Sequence, residues 1–466
     1  MSVLPGLGLT APTPPGHASS APFPSSSAQQ APPRTQALDS NTELRFEVAA
    51  TSTYCVRLVN GRAESFGVEL APNRAYSYTG AKSAVFTFHG CVLELSGEAE
   101  SEYVGRETEM GSWLNAHAAL ETIRQDGEGP RVLVAGPDGV GKSSFVRCLA
   151  AWAARSGRSP TVVNLDSREG MLGVPGTLSA VTVNGMLDVE DGLGVSPVLG
   201  QTAVPVKTPV HYLYPFANPD ENVKLFKHVV TRLALAVTGK CEKTKECKEG
   251  GIIVDAPGTL NQPKGGYEAL MHVVSEFSIN VIFTLKSERL LNDLTRRFAN
   301  PKNPDDAVTV LMVPTASGAI DRDAPFMKAL RAKQVKSYFH GTSRLTLYPH
   351  TQTVSFSDLT IYKIIDAESF PSFLPGADDD EEAGPATTQI YERATPTLAV
   401  QHALLAVMHC RFNESQETIR DTAVKGFVYV SEVNETKKVV RMLVPQASEW
   451  SGRALVWGAW PEVVEV

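Results

Sequence analysis

The middle of the chain alternates short apolar runs with longer amphipathic segments. Five apolar runs predict strands: RVLVAG (131–136), PTVVNLD (160–166), GIIVDAPG (251–258), NVIFTL (280–285) and VTVLMVP (308–314). The segments between them, such as KSSFVRCLAAWAARS (142–156) and ENVKLFKHVVTRLALAVT (221–238), have apolar residues at helical spacing. Buried strands separated by helices predict a parallel sheet with helices on both faces. We therefore expect an α/β domain over residues 113–343.

On both sides of this region the pattern changes to short runs with a period of two. Residues 40–112 contain LRFEV, YCVRLV and AVFTFHGCVLELSG, interrupted by turn residues, which predicts a β-sandwich-like antiparallel domain. Residues 344–466 contain RLTLYPHTQTVSFSDLTIYKII, FVYVSEV and RALVWG, which predicts a mostly-β α+β domain. The acidic segment ADDDEEAGPATTQ (377–389) is expected to be a solvated insert in that domain.

Composition adds few constraints. Residues 1–39 are rich in Pro, Ser and Ala, and we expect a disordered tail there. The 466 residues carry a formal net charge of −8, which argues against coating nucleic acid by bulk charge. Because no apolar run approaches ~18 residues, we expect a soluble intracellular protein without a membrane span or signal peptide. Six cysteines without metal-ligand spacing favour free thiols over disulfides or zinc.

The segment GPDGVGKSS (136–144) has the G-x-x-x-x-G-K-[ST] spacing, and it follows a predicted strand and opens a predicted helix. Glycines at 136, 139 and 141 allow backbone N–H groups to turn toward phosphate oxygens, a cradle that also includes Asp138 and Val140. Lys142 is expected to contact the β and γ phosphates, Ser143 to ligate Mg²⁺, and Ser144 to donate to the α phosphate. The central domain is therefore predicted to be a P-loop NTPase domain that binds ATP and Mg²⁺.

Two carboxylates end neighbouring predicted strands. Asp166 follows TVVNL and is a candidate either for the magnesium site or for the base that deprotonates an acceptor hydroxyl. Asp255 follows GIIV and is a candidate for the outer shell of the metal. Each residue has an ordinary alternative as a cap of the turn that follows its strand. We expect at least one of the two to serve the metal.

A basic segment follows the last predicted strand of the α/β domain. SGAIDRDAPFMKALRAKQVKSYFHG (317–341) carries Lys328, Arg331 and Lys336 near one face of a predicted helix. This helix is either a lid over the phosphates, with Arg331 as a catalytic charge, or a solvated basic face.

The phosphate-loop segment GPDGVGKSS (136–144) resembles that of the eukaryotic polyribonucleotide 5′-hydroxyl kinases. The segments TELRFEV (42–48), GAKSAVFTFHGC (80–91) and VSFSDLTIYKI (354–364) also resemble this family. The nearest resemblance is to the branch that serves as a subunit of the pre-mRNA cleavage and polyadenylation factor. It implies a three-domain fold, a nuclear location, and partners among the other subunits, especially the one that binds the polymerase II C-terminal tail. It also implies that Glu43 meets the adenine edge and that Lys82 lies beside the base or ribose, while contact with RNA is expected to be weak.

The chain departs from the pattern of the active kinases around the acceptor. Their L-D-x-G-Q-G motif is Leu165–Gly170 here, with Glu169 in place of the amide, so we expect added repulsion near polyphosphate. Thr259 replaces an aromatic residue, Tyr214 and Phe216 replace small residues near the substrate groove, and Lys333–Gln334 stands where a second lid arginine is expected. The ATP cradle is intact.

An intact ATP cradle beside an altered acceptor region favours a scaffold protein that binds ATP and does not turn it over. The alternatives are an active RNA 5′-hydroxyl kinase with Asp166 as the base and Arg331 as a clamp, and a generic P-loop ATPase. Nothing outside the loop supports the ATPase.

Overall fold

The computed structural model describes residues 32–125, 127–190, 192–193, 209–262, 267–301, 303, 307–342, 346–365, 390–445, 450–462 and 466. The predicted acidic insert and the first 31 residues of the predicted tail lie outside these ranges. The rest of the tail differs from the prediction, because its residues Arg34–Leu38 form the first strand, β1, which pairs with Cys91–Leu95. Backbone pairing with an existing sheet orders this short segment despite its composition.

The N-terminal region is an antiparallel β-sandwich, as predicted. Its strands after β1 are β2 (Thr42–Val48), β3 (Tyr54–Gly61), β4 (Glu64–Ser65), β5 (Val68–Glu69), β6 (Ala75–Tyr78), β7 (Ala81–Thr87), β8 (Cys91–Gly97) and β9 (Ser101–Gly105). One sheet has the order β1-β8-β3-β6 and the other β5-β4-β7-β2-β9. Alternate residues of β3 are buried, which is the pattern that the period of two predicts.

The central domain begins with α1 (Met110–Gln125) and is built on β10 (Arg131–Ala135), α2 (Lys142–Arg155), β11 (Thr161–Asn164), β12 (Thr177–Thr182), β13 (Val210–Leu213), α3 (Val223–Lys243), α4 (Lys245–Gly250), β14 (Ile252–Asp255), α5 (Glu268–Glu276), β15 (Val281–Leu285), α6 (Glu288–Phe298), β16 (Thr309–Val313) and α7 (Ala324–His340). The five predicted strands form the parallel order β16-β15-β10-β14-β11, and β12 and β13 extend the sheet antiparallel to them. In this order the carboxyl ends of β10, β11 and β14 lie side by side.

Helices cover both faces of this sheet. Along β10, Leu133 packs in the core that includes α3 and α5, whereas Val132 and Val134 pack in the core that includes α1 and α2. The second core also contains residues of the β-sandwich, so the two domains share one hydrophobic interior. Glu64 reinforces this contact by accepting hydrogen bonds from Trp152 (3.2 Å) and Arg155 (2.9 Å) of α2. The sandwich is therefore fixed on the helix that follows the phosphate loop.

The C-terminal region contains β17 (His350–Ser355), β18 (Ile361–Ile364), β19 (Tyr391–Ala394), β20 (Leu404–Arg411), α8 (Gln416–Asp421), β21 (Val424–Asn434), β22 (Val439–Val444) and β23 (Arg453–Trp457). These strands continue the central sheet, because β21 pairs with β13 at His211 and Val424. Within the described residues, no helix combines the length and the apolar content that crossing a bilayer requires.

Candidate functional site

The phosphate loop joins the end of β10 to the start of α2. Gly136, Gly139 and Gly141 have φ of 149°, 73° and 86°, which side chains rarely adopt. A Cβ at Gly136 would lie 2.6 Å from the carbonyl oxygen of Leu285, so both conformation and space require glycine there. Val140 is buried in the core beneath the loop. These constraints fix the shape of the loop, and loops of this kind direct backbone N–H groups toward a bound phosphate.

Lys142 and Ser144 begin α2 and line the cavity above the loop, together with Ser143. The Lys142 amine donates to the carbonyl oxygen of Pro137 at 2.6 Å and lies 3.8 Å from the Asp138 carboxylate. The side chain is thus folded back over the loop on the side where phosphates would bind. This placement suits a cation that bridges phosphate oxygens.

Asp255 ends β14 at the floor of the same cavity. It is 1% exposed, and neither carboxylate oxygen has a hydrogen-bond partner among the described residues. Burial raises the pKa of Asp255 to about 7, against the opposing influence of Lys142 and of the nearby Ser143 hydroxyl. Ser143 makes no hydrogen bond of ordinary geometry with it. Because a buried carboxylate without a partner is costly, its presence beside a hydroxyl fits a hard divalent cation such as Mg²⁺.

Asp166, which follows β11, is joined to the phosphate loop by an arginine that the sequence analysis did not select. Arg168 donates to Asp166 from Nε (3.0 Å) and Nη2 (2.7 Å), and to Asp138 from Nη1 (3.0 Å) and Nη2 (2.8 Å). Burial opposes the charge of Asp138, but the hydrogen bonds and charge of Arg168 outweigh it, so the pKa of Asp138 lies below its usual value. Gly258 also donates to Asp138 at 3.0 Å. The Arg168 guanidinium is therefore hydrogen-bonded to both oxygens of Asp166, the candidate base.

Glu169 carries the added negative charge expected from the sequence, but that charge is paired within the protein. Its carboxylate forms an ion pair with Arg322 in the segment that precedes α7. Burial raises the pKa of Glu169, and the adjacent Arg322 counters that shift. The sequence showed this charge without its partner, which lies 153 residues away in the chain.

A cavity of about 530 Å³ lies between the sandwich, the phosphate loop and α7. Glu43 and Lys82 line it from the sandwich, on the adjacent strands β2 and β7. The Glu43 carboxylate accepts hydrogen bonds from Arg45 (2.5 Å) and Thr108 (3.2 Å). Lys82 forms an ion pair with Glu47 at 2.9 Å and lies 5.3 Å from the centre of the Phe326 ring. The structure thus brings both residues to the cavity that contains the phosphate loop.

Arg331 is the one predicted lid cation that reaches this cavity among Lys328, Arg331 and Lys336, because the two lysines are exposed. Its guanidinium makes hydrogen bonds with both oxygens of Glu462 (2.5–3.0 Å) and lies 4.5 Å from the Trp460 ring. The helix is therefore neither a free basic face nor a row of phosphate-binding charges. Its arginine is held by the C-terminal segment of the chain.

Tyr214 and Phe216, which the sequence analysis placed near the substrate groove, do not line this cavity. Both side chains are buried in the central core, where Tyr214 packs against Phe226 at 5.5 Å between ring centres. The Tyr214 hydroxyl donates to the carbonyl oxygen of Asn218 at 2.8 Å. Neither residue lines the cavity, because the strand that precedes them directs the chain into the interior.

Two further arginines were also missed. Arg45 of β2 donates to the Glu107 carbonyl oxygen (2.8 Å) and the Ser317 hydroxyl (2.9 Å), which joins the sandwich to the segment before α7. Arg322 pairs with Glu169 as described above. Two of these arginines carried a sequence signal, because Arg322 lies in the basic segment 317–341 and Arg168 stands where the L-D-x-G-Q-G pattern has glycine.

Comparison with known proteins identifies all three parts of the chain. Residues 37–127 match the N-terminal beta-sandwich domain of polyadenylation factor, residues 136–341 the mRNA cleavage and polyadenylation factor CLP1 P-loop, and residues 347–462 the Pre-mRNA cleavage complex II protein Clp1. The mRNA cleavage and polyadenylation factor clp1 of Botryotinia fuckeliana is 47% identical over 91% of this chain and 92% of its own length. That of Phaeosphaeria nodorum is 45% identical over 92% of this chain and 94% of its own.

A solved structure has a similar fold, with a TM-score of 0.82, 24% identity and coverage of 92% of this chain and 98% of the other. It is described as the extended interface between Pcf11p and Clp1p and the structural basis for ATP loss in a glycine-to-arginine point mutant. This chain belongs to the family of the mRNA cleavage and polyadenylation factor Clp1. The family resemblance inferred from the sequence is thereby confirmed.

Proposed function

We propose that this member of the Clp1 family is the ATP-binding subunit of the nuclear mRNA cleavage and polyadenylation factor, and that it holds ATP without transferring the γ-phosphate. In this function ATP is part of the folded subunit. It lies between the β-sandwich and the phosphate loop and supports pre-mRNA 3′-end cleavage by keeping the domains in one arrangement. Membership in the family supports the role in the factor, and the cavity supports the nucleotide.

The residues that bind ATP belong to two domains, the β-sandwich and the P-loop domain. Backbone N–H groups of the phosphate loop and the Lys142 amine bind the phosphates. Ser143 and Asp255 would hold Mg²⁺, which would supply positive charge to the phosphates, and Asp166 lines the same cavity. Glu43 and Lys82 contact the adenine and ribose from the sandwich. Since ATP then touches both domains, its binding stabilises their contact by RT ln(1 + [L]/Kd), several kcal/mol when [L] greatly exceeds Kd.

The position of Arg168 is the main observation against transfer of the γ-phosphate to RNA. A kinase of this type needs a carboxylate that can accept the proton of the attacking hydroxyl. Both oxygens of Asp166 instead accept hydrogen bonds from Arg168, and the same guanidinium is fixed to Asp138. A hydroxyl that approached Asp166 would compete with a doubly bound arginine for its oxygens. Phosphoryl transfer to RNA is therefore disfavoured at the step of acceptor activation.

The partner is a subunit of the kind represented by Pcf11p, bound on the central and C-terminal domains. The related solved structure contains that protein with Clp1p. In this chain the two domains share one continuous sheet through β13 and β21, which provides a rigid surface for a partner.

The test measures retention and transfer in one preparation. Protein purified without added nucleotide is analysed by mass spectrometry for bound ATP or ADP. It is then incubated with γ-labelled ATP and a 5′-hydroxyl oligoribonucleotide. We expect retained, intact ATP and no label on RNA. Lys142→Ala is expected to purify without nucleotide, because it loses a charge-assisted phosphate contact.

Lys336→Ala is the matched control, since this exposed lysine of α7 lies outside the cavity, and it is expected to retain ATP. Label on RNA that disappears in Lys142→Ala would instead identify an active RNA 5′-hydroxyl kinase with Asp166 and Arg331 in catalysis. Protein free of nucleotide, in both wild type and control, would remove the scaffold proposal.

A further inference from the structure

We propose that Glu169, Gln334 and Lys333 are nucleotide-retention residues, which fix α7 over the cavity as a closed lid and thereby set the residence time of bound ATP. The proposal rests on the proposed function in one respect, since ATP is taken to occupy the cavity. The segment that precedes α7 and the helix itself form one wall, through Asp321, Arg322, Met327 and Arg331 among others. Nucleotide exit on that side requires this wall to move.

The first attachment is a pair of reciprocal hydrogen bonds between Gln334 and Gly170. The Gly170 N–H donates to Oε1 of Gln334 at 3.3 Å, and Nε2 of Gln334 donates to the Gly170 carbonyl oxygen at 3.2 Å. A carboxamide is suited to this position because it presents a donor and an acceptor together. Arginine there would lack the acceptor and glutamate the donor. The contact therefore depends on the residue type that this chain has.

The second attachment is the ion pair between Glu169 and Arg322. Arg322 directly precedes Asp323, which caps α7 by accepting a hydrogen bond from the Phe326 N–H at 3.0 Å. Glu169 and Gly170 are adjacent, so one short loop after β11 holds α7 both at its start and about three turns further along. Two contacts separated along the axis oppose tilting of the helix as well as its withdrawal.

The third attachment comes from the β-sandwich on the other side of the cavity. The Lys333 amine donates to the Thr79 carbonyl oxygen at 2.7 Å, and Lys82 lies over the Phe326 ring of α7 at 5.3 Å. Lys333 and Gln334 are neighbours that bind different domains. The helix therefore spans the cavity from the sandwich to the loop after β11. Opening the lid breaks contacts with both.

The expected increase in the rate of ATP release follows from the number of contacts that are lost. Loss of one net hydrogen bond accelerates a dissociation that depends on it by about 3-fold, and loss of an ion pair in a partly buried place by about 10-fold. The three contacts join separate pairs of groups, so their effects are expected to multiply. Removal of all three is expected to accelerate release by about 100-fold.

The experiment measures release of labelled ATP from full-length protein during a chase with excess unlabelled ATP. The variants are Glu169→Gln, Gln334→Glu, Lys333→Ala and the triple substitution. Lys336→Ala is the control, because it removes the same charge from an exposed position on the same helix. We expect about 3- to 10-fold faster release for each single variant, about 100-fold for the triple, and less than 2-fold for the control.

Amide hydrogen exchange of the ATP-bound proteins identifies the cause. Faster exchange in residues 324–340 of the triple variant, with α2 unchanged, is the result expected of a lid that opens more often. Release at the wild-type rate in the triple variant, or faster release without faster exchange in α7, would overturn the inference. Wild-type protein that loses its label within the dead time, or converts it to product, would instead contradict the proposed function.

Discussion

The two sides of the cavity differ in how their charged groups are used. On the nucleotide side, which comprises the phosphate loop and Asp255, the buried carboxylate of Asp255 has no hydrogen-bond partner among the described residues. On the acceptor side, which comprises residues 166–170 and α7, each main charge is paired with another residue of the chain. Asp166 binds Arg168, Glu169 binds Arg322, and Arg331 binds Glu462.

The difference shows which groups a ligand can use. A buried polar group without a partner costs free energy, so its persistence indicates that something outside the chain satisfies it. A group that already has a partner binds a substrate only in competition with that contact. Asp255 on the nucleotide side is therefore available to a ligand, whereas the main charged groups of the acceptor side are already paired within the protein.

The largest expected effect is on the nucleotide side, from Asp255→Asn. The pKa of Asp255 is about 7 in the folded protein and its ordinary value is 3.8 in the unfolded chain. Between about pH 4 and 7 the folded state keeps a proton that the unfolded state releases. The free energy of unfolding of nucleotide-free protein therefore falls as pH rises, by up to ~1.4 kcal/mol per pH unit, and levels off above pH 7. The Asp255→Asn substitution is expected to remove this decrease in the free energy of unfolding with pH.

We expect Asp255→Asn to be more stable than wild type at pH 8, by a few kcal/mol at most, and to lose the Mg²⁺-dependent part of its ATP affinity. Denaturant unfolding at pH 5, 6, 7 and 8 measures the first effect, and ATP titration with and without Mg²⁺ the second. Asp358→Asn, an exposed aspartate, is the control and should follow wild type. Equal stability of Asp255→Asn and wild type at pH 8 would mean that Asp255 is not an uncompensated charge.

An intermediate effect is expected on the acceptor side, from Arg168→Ala. This change frees Asp166 and Asp138 without touching the phosphate loop glycines or Lys142. We expect ATP retention within about 3-fold of wild type and hydrolysis of bound ATP at least ~10-fold faster, since an available carboxylate is a general base. Single-turnover release of labelled phosphate measures it.

Arg168→Lys is the matched control. It keeps the positive charge but lacks the planar guanidinium that binds Asp166 and Asp138 together, so an intermediate rate of ATP hydrolysis is expected. Hydrolysis unchanged in both variants would show that Arg168 is not what keeps Asp166 from acting. The contrast between the two sides would then have another cause.

The smallest effect is expected from Glu462→Gln, at the edge of the acceptor side. The Glu462 side chain is 26% exposed, and Arg331 keeps its contact with the Trp460 ring in the variant. We therefore expect a loss of stability of about 1 kcal/mol or less and unchanged ATP retention. Thermal unfolding and retained nucleotide measure these quantities. A strong loss of ATP would place Glu462 and Arg331 on the nucleotide side.

Sequence reasoning was most successful where structure depends on neighbours in the chain. The ends of the five parallel strands lie within three residues of the ends of the apolar runs that predicted them, since burial on both faces requires near-continuous apolar residues. The phosphate loop was equally visible, because its glycine spacing produces one local turn. Two strands of the same sheet, β12 and β13, were missed, because TLSAVT and VHYL have no marked pattern.

It was least successful for contacts between distant residues. The composition of LDSREG shows that charges are present and does not show what they meet. Arg168 reaches back 30 residues to Asp138, Glu169 meets Arg322, and Arg331 meets Glu462, which lies 131 residues further on. The burial of Tyr214 and Phe216 likewise depends on the direction in which β13 enters the core.

The three-part architecture, the phosphate loop and the carboxylates near the strand ends follow from the residues alone, because hydrophobic period and residue spacing are local properties. Which of those carboxylates is available to a ligand depends on the fold. Asp166 follows β11 and Asp255 ends the neighbouring strand β14, but Arg168 binds the first and the second has no hydrogen-bond partner among the described residues. Pairing across the fold, rather than residue type, separates a ligand site from a structural contact.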